Sequence, residues 1–152
     1  MSQQQSTQWS ADLALPGFEA VTLHFPDDYD GAVTATLVRR RLTTPTRQAI
    51  LYVHGYMDYF FQAHLAEQCT QHGYNFYALD LRKYGRALDH AAHPHFCKDI
   101  REYFPEISAA LLIMTEEDAN TWVVLNGHST GGLLAALYAH AGAQKAVSRR
   151  SC

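Results

Sequence analysis

The run Trp122-Val123-Val124-Leu125-Asn126-Gly127-His128-Ser129-Thr130-Gly131-Gly132-Leu133-Leu134 constrains this chain more than any other stretch, because it sets a serine between glycines where an apolar strand gives way to a helix. A Gly-x-Ser-x-Gly turn holds its serine at strained backbone angles, and side chains two positions to either side would clash with the strand and helix being joined. Gly127 and Gly131 meet that demand. The turn requires a strand ending at it and a helix starting from it, which is the α/β layer pattern. It lifts the Ser129 hydroxyl above the sheet as a candidate nucleophile. The helix N-terminus then turns free N–H groups toward developing negative charge, with the backbone N–H of Thr130 as the first oxyanion donor.

The remainder of the chain repeats this alternation. Residues 19–26 and 32–40 alternate partly apolar and β-branched side chains around Pro26-Asp27-Asp28-Tyr29-Asp30-Gly31, which predicts a β-hairpin. Ala49-Ile50-Leu51-Tyr52-Val53 is an unbroken apolar run, the pattern of a strand buried on both faces. Asp58 is placed to cap a helix reaching His72, with Gly73 as its stop, and residues 75–81 supply the next strand. A second helix is expected over 99–116, where Ile100, Tyr103, Phe104, Ile107, Leu111 and Met114 recur at helical spacing and Pro105 marks either a kink or the true start. A third buried strand over 121–126 and a helix over 130–140 complete a hairpin followed by β-α-β-α-β-α. Residues 1–10 read as a polar tail, 11–143 as one domain or part of one, and 144–152 as an atypical tail in which the apolar pattern stops.

Composition narrows the function classes. The 152 residues are 47% hydrophobic, with nine Tyr, seven Phe and two Trp, enough for one globular core. A net charge of −3 with scattered basic residues excludes an electrostatic footprint for nucleic acid. No apolar run approaches the roughly 18 residues of a membrane span, and the Gln/Ser-rich start lacks the pattern of a signal peptide. Cys69, Cys97 and Cys152 lack CxxC spacing. Free thiols in a cytoplasmic, reducing setting are therefore expected, with neither cofactor nor structural metal.

Three segments in order, Leu51-Tyr52-Val53-His54-Gly55-Tyr56, Tyr77-Ala78-Leu79-Asp80-Leu81-Arg82-Lys83-Tyr84-Gly85-Arg86 and Leu125-Asn126-Gly127-His128-Ser129-Thr130-Gly131-Gly132, resemble successive landmarks of the α/β-hydrolases, in the lysophospholipase and monoacylglycerol-lipase-like, serine aminopeptidase-like branch. The resemblance covers about residues 17–141. It implies an eight-stranded, mostly parallel sheet flanked by helices, and hydrolysis of small-molecule carboxylic or lipid esters through an acyl-enzyme. On this resemblance Ser129 is the nucleophile, Tyr56 and Thr130 supply the oxyanion N–H groups, and His54, Gly55, Gly127, His128 and Gly131 support the turns. His128 is expected to pack beneath its turn, and Asp80 to shape a loop. Where many relatives carry Gly-His-Gly, this chain has Lys83-Tyr84-Gly85.

Other groups have competing readings. Asp89, His90, His93 and His95 have metal-ligand chemistry, but their spacing matches no strong template and Pro94 interrupts it. Tyr56, Tyr59, Phe60 and Phe61 line an acyl pocket or simply pack the first helix. Arg82, Lys83 and Arg86 meet a phosphate-bearing head group or, by the general habit of Lys and Arg, lie exposed on a loop.

In this fold the acid and base follow the serine, in the order Ser, Asp or Glu, His, and only 23 residues follow Ser129 in this sequence. The expectation is the amino-terminal half of a hydrolase, close to inactive alone, with strand 121–126 as an apolar open edge. The alternative is a non-catalytic remnant that binds a partner, such as a separately encoded carboxyl-terminal half, through that edge.

Overall fold

A computed structural model of the chain describes residues 7–88 and 91–150, with side chains described up to Gln144. Six strands form one mixed sheet in the order β1-β2-β3-β5-β4-β6, where β1 is Ser10–Ala11, β2 Glu19–Asp28, β3 Gly31–Arg40, β4 Gln48–Val53, β5 Asn75–Asp80 and β6 Trp122–Gly127. Pairing is antiparallel from β1 through β3 to β5 and parallel from β5 through β4 to β6. The helices are α1 (Ala63–Gln71), α2 (Phe104–Leu112) and α3 (Thr130–Arg150).

The unbroken apolar runs become the central strands because both of their faces are covered. Leu51, Val53, Tyr77 and Leu79 point to one face, where Ile107 of α2 and Leu134 of α3 close over them. Tyr52, Phe76 and Ala78 point to the other, against Phe60 and Ala66 of the α1 side. The expected hairpin forms as β2 and β3, with a register shift between Phe25 and Asp28. Gly73 ends α1 at φ +87, a left-handed conformation that costs glycine little.

Several local expectations are corrected. Asp58 does not cap α1, which starts at Ala63 with Gln62 before it. Phe60 is drawn into the core between the two, and Met57 takes φ 52, so the chain stays irregular until the aromatic is buried. Asp99 caps a 3-10 turn, Ile100–Tyr103, through a reciprocal capping box with Glu102, and Pro105 lies in the first turn of α2, where its missing N–H costs nothing. A π-helical turn, Ile113–Glu117, follows α2. The sheet also reaches into the segment read as an N-terminal tail: Ser10 pairs with Ala20, and the Thr7 hydroxyl donates to Glu117 at 2.6 Å. At the other end the backbone of α3 continues to Arg150, through most of the segment read as an atypical tail.

Strand β6 pairs only with β4 among the described residues. The expectation of a buried strand is corrected here: no residue of β6 is buried, because its outer edge is open, and Trp122 is 53% exposed.

Candidate active site

The parallel strands β4, β5 and β6 end side by side, and the three landmark segments leave the sheet from those ends. Ser129 sits between β6 and α3 at φ 54, the strained left-handed conformation that the glycine pattern implies. The glycines are dictated by contact. A Cβ on Gly127 would lie 2.3 Å from the Gly131 carbonyl carbon, and one on Gly131 would lie 2.2 Å from the Val53 carbonyl oxygen. The His128 N–H donates to the Val53 carbonyl at 3.0 Å, which seats the turn on the end of β4. Ser129 itself is exposed.

The His54-Gly55 turn faces it. A Cβ on Gly55 would stand 3.3 Å from the Ser129 Cβ, so the turn after β4 abuts the Ser129 turn directly. The Tyr56 N–H meets no acceptor among the described residues. His54 is buried, with Nδ1 2.8 Å from the Gly55 carbonyl oxygen and Nε2 accepting the Leu81 N–H at 3.1 Å. Nδ1 therefore carries the proton. Burial pushes the imidazole pKa below its ordinary value, against the opposing pull of the Gly55 carbonyl and the Asp80 carboxylate. The ring also packs 4.7 Å from that of Tyr84.

His128 does not pack beneath its turn. Its side chain is 68% exposed, and Nδ1 lies 3.8 Å from the Asp58 carboxylate. The elbow directs the residue before the serine outward toward the loop that carries Asp58. Asp58 is in turn fixed by the Tyr59 N–H at 2.9 Å. Sequence pattern gave no signal for this pair.

Asp80 has no exposed side-chain surface. One carboxylate oxygen accepts the Phe60 N–H at 2.9 Å, and the other accepts the Arg86 N–H at 3.0 Å and guanidinium at 2.9 Å. The loop role expected for Asp80 thus has a specific form in which it joins the segment after β4 to the segment after β5. Gly85, at φ +47, allows the approach, since a Cβ there would lie 2.5 Å from an Asp80 oxygen.

The basic residues of that segment are not exposed on a loop, which corrects the simpler sequence reading. Arg82 is buried against Glu106, accepting partner for both its Nε–H and its backbone N–H, and burial drives the Glu106 carboxyl up to about 7 against the attraction of the guanidinium. Lys83 stands at φ 66, reaches Asp28 at 3.2 Å and Asp30 at 2.5 Å, and lies over the Tyr29 ring. Arg86 forks onto Asp12 with bonds of 2.8 and 2.7 Å. Sequence could not announce these pairs, because each joins positions more than 20 residues apart.

Of the aromatic group, only Phe60 is core, while Tyr56, Tyr59 and Phe61 are exposed after the His54-Gly55 turn. His93 hydrogen-bonds Asp30 at 2.7 Å, and the His95 carbonyl accepts the Tyr84 hydroxyl at 3.2 Å. Asp89 and His90 lie outside the described residues. No helix among the described residues is long and apolar enough to cross a membrane.

Comparison with known proteins agrees with this geometry. No curated protein matches the chain in sequence. Among solved structures it is similar to a candidate hydrolytic enzyme of Pseudomonas aeruginosa PAO1 (TM-score 0.58, 22% identity, covering 84% of this chain and 38% of that one). It is also similar to a candidate lipase of Sulfolobus solfataricus (0.57, 17%, 86% and 45%) and to Cfl2 of Burkholderia cenocepacia (0.56, 17%, 88% and 40%). The chain spans less than half the length of each. At these identities the likeness concerns the fold, which is that of the α/β-hydrolases. The family described as serine aminopeptidase, S33, matches residues 44–148, a stretch that takes in all three landmark turns. With well over half of its length matched, the chain belongs to the serine aminopeptidase S33 family of α/β-hydrolases.

Proposed function

We propose that this chain supplies the nucleophile and oxyanion half of a serine hydrolase for carboxylic esters, of the lysophospholipase or monoacylglycerol-lipase type. The observation that carries the reading is how closely the His54-Gly55 turn abuts the strained Ser129 turn, since a Cβ on Gly55 would stand 3.3 Å from the Ser129 Cβ. In the proposed reaction the Ser129 Oγ attacks the ester carbonyl carbon and gives its proton to a base. The carbonyl oxygen becomes an oxyanion held by the Thr130 and Tyr56 N–H groups. Collapse expels the alkoxide, which leaves as the alcohol after taking that proton, and water then hydrolyses the acyl-enzyme. His54, Gly55, Gly127, His128 and Gly131 shape the two turns. The exposed Tyr56, Tyr59 and Phe61 provide apolar surface for an acyl chain.

Among the described residues no imidazole hydrogen-bonds the Ser129 hydroxyl, so the acid and base are assigned to polypeptide outside them. Without a base, catalysis is limited to about 10³–10⁴-fold over water, from oxyanion stabilisation and binding. Among the described residues the thiols of Cys69 and Cys97 form no disulfide, in keeping with the proposed cytoplasmic setting.

A second reading, partner binding through β6, is favoured by one observation: β6 carries no charge and no proline along its open edge. A fluorophosphonate probe separates the two. Labelling of the wild-type chain that vanishes in Ser129→Ala supports the hydrolase reading; absence of labelling, also with a supplied imidazole base, refutes it.

A further inference from the structure

Resting on the reading that the Tyr56 N–H is an oxyanion donor, we propose that Arg86, clamped between Asp12 and Asp80, is a positioning residue for the turn that carries that donor. The segment between β4 and α1 must hold Tyr56 still beside Ser129, yet it is irregular and exposes Tyr56, Met57, Tyr59 and Phe61. Its entry is tied down by His54 through the Leu81 N–H. Its exit is tied down at Phe60, where both backbone groups are taken: the N–H by Asp80 at 2.9 Å and the carbonyl by Arg86 Nη1 at 2.8 Å.

Arg86 is itself fixed in place. The same Nη1 reaches Asp80 at 2.9 Å, while Nε and Nη2 form a two-pronged pair with the two oxygens of Asp12. Bidentate guanidinium–carboxylate pairs fix orientation as well as distance. Only 12% of the Arg86 side chain and 3% of that of Asp12 are exposed, so water does not compete for these bonds. Asp12 is locked by the Leu15 N–H at 2.9 Å, and its own N–H donates to the Phe18 carbonyl at 2.8 Å. A segment preceding the first long strand therefore reaches across the sheet end to brace the oxyanion turn. A donor displaced by about 1 Å loses on the order of 100-fold in rate, so bracing of this kind has a direct readout.

The experiment compares the 152-residue wild type with Asp12→Asn, Arg86→Lys and a remote core control, Ile107→Val. Amide hydrogen exchange is followed by mass spectrometry, and the rate of fluorophosphonate capture at Ser129 is measured beside it. The clamp is supported if both clamp variants raise exchange in peptides covering residues 55–61 by about 10-fold or more, leave β4 and β5 at wild-type rates, and slow capture while Ile107→Val does not. Exchange that stays at the wild-type rate in 55–61, or rises equally through β4 and β5, overturns it, as does equal slowing of capture by Ile107→Val. If the wild type is not captured even with a supplied imidazole base, the hydrolase reading fails, and the exchange data alone decide whether the clamp exists.

Discussion

His54 Nε2 accepts the Leu81 N–H at 3.1 Å while its Nδ1 stays 2.8 Å from the Gly55 carbonyl, so one neutral imidazole joins the end of β5 to the turn facing Ser129. Protonation at Nε2 would turn that acceptor into a donor and leave the buried Leu81 N–H without a partner.

Burial holds the His54 pKa below its ordinary value, so between the folded pKa and the unfolded value of about 6.5 the unfolded chain binds a proton that the folded chain does not. This contribution to stability is present above about pH 6.5 and declines as the pH falls through that window. Urea unfolding at a series of pH values should therefore show a steeper loss below pH 6.5 in wild type than in His54→Gln. Equal pH slopes for the two proteins would refute the assignment. His54→Ala, which strands the Leu81 N–H, should cost about 1–3 kcal/mol at neutral pH.

The two elbow glycines should tolerate no side chain. Gly131→Ala would press a methyl against the Val53 and His54 carbonyl oxygens at 2.2 and 2.4 Å, and Gly127→Ala would press one against the Gly131 backbone. Each is expected to destabilise by about 3 kcal/mol or more, the upper range for overpacking, because backbone rather than a mobile side chain is struck. Gly142→Ala is the contrasting case: nothing lies within 4 Å, and the site is helical, so a gain of roughly 0.4–1 kcal/mol is expected. Thermal unfolding of the three variants checks the order.

The elbow was legible in the sequence because its constraint is local, with two glycines, a serine and a flanking apolar strand all within one short run. The central strands were legible because burial on both faces leaves an unbroken apolar run, as at β4. What stayed hidden was long-range. The start of α1 was misplaced because the Phe60 N–H is held by Asp80 from another strand. Arg82, Lys83 and Arg86 carried the sequence signature of a solvated loop, and only tertiary contact with Glu106, Asp30 and Asp12 reveals the first two as buried and the third as half-buried. The outward rotation of His128 likewise depends on the backbone angle of its neighbour, which composition does not encode.

The Arg82–Glu106 pair should behave as a unit. Removing one partner, as in Glu106→Met, leaves a guanidinium that is 9% exposed with only the more distant Asp28 at 3.5 Å, and a loss of about 3–5 kcal/mol is expected. The double variant Arg82→Met/Glu106→Met removes both charges and should lose clearly less than the sum of the two single changes. Additive losses in urea denaturation would show that the two groups act independently.

Strain at Ser129 should be measurable as a loss of stability. A non-glycine residue at φ 54 costs about 1–2 kcal/mol, and Ser129 has no compensating side-chain bond among the described residues. Ser129→Gly should therefore raise stability by about 1 kcal/mol, a few degrees in Tm for a chain of this size, whereas Ser129→Ala keeps the strain and should be close to neutral. Both remove the proposed nucleophile. Lys83 provides the internal control, because it has the same kind of backbone angle, φ 66, but its ammonium is bound to Asp28 and Asp30. Lys83→Gly relieves similar strain but takes the ammonium away from two carboxylates that are 11% and 7% exposed, leaving Asp30 with His93 and Asp28 with Arg82 at 3.5 Å, so it should be net destabilising. Opposite signs for the two glycine substitutions would separate strain kept at a reactive position from strain offset by ion pairs. A Ser129→Gly protein no more stable than Ser129→Ala would mean that the turn is relaxed as it stands.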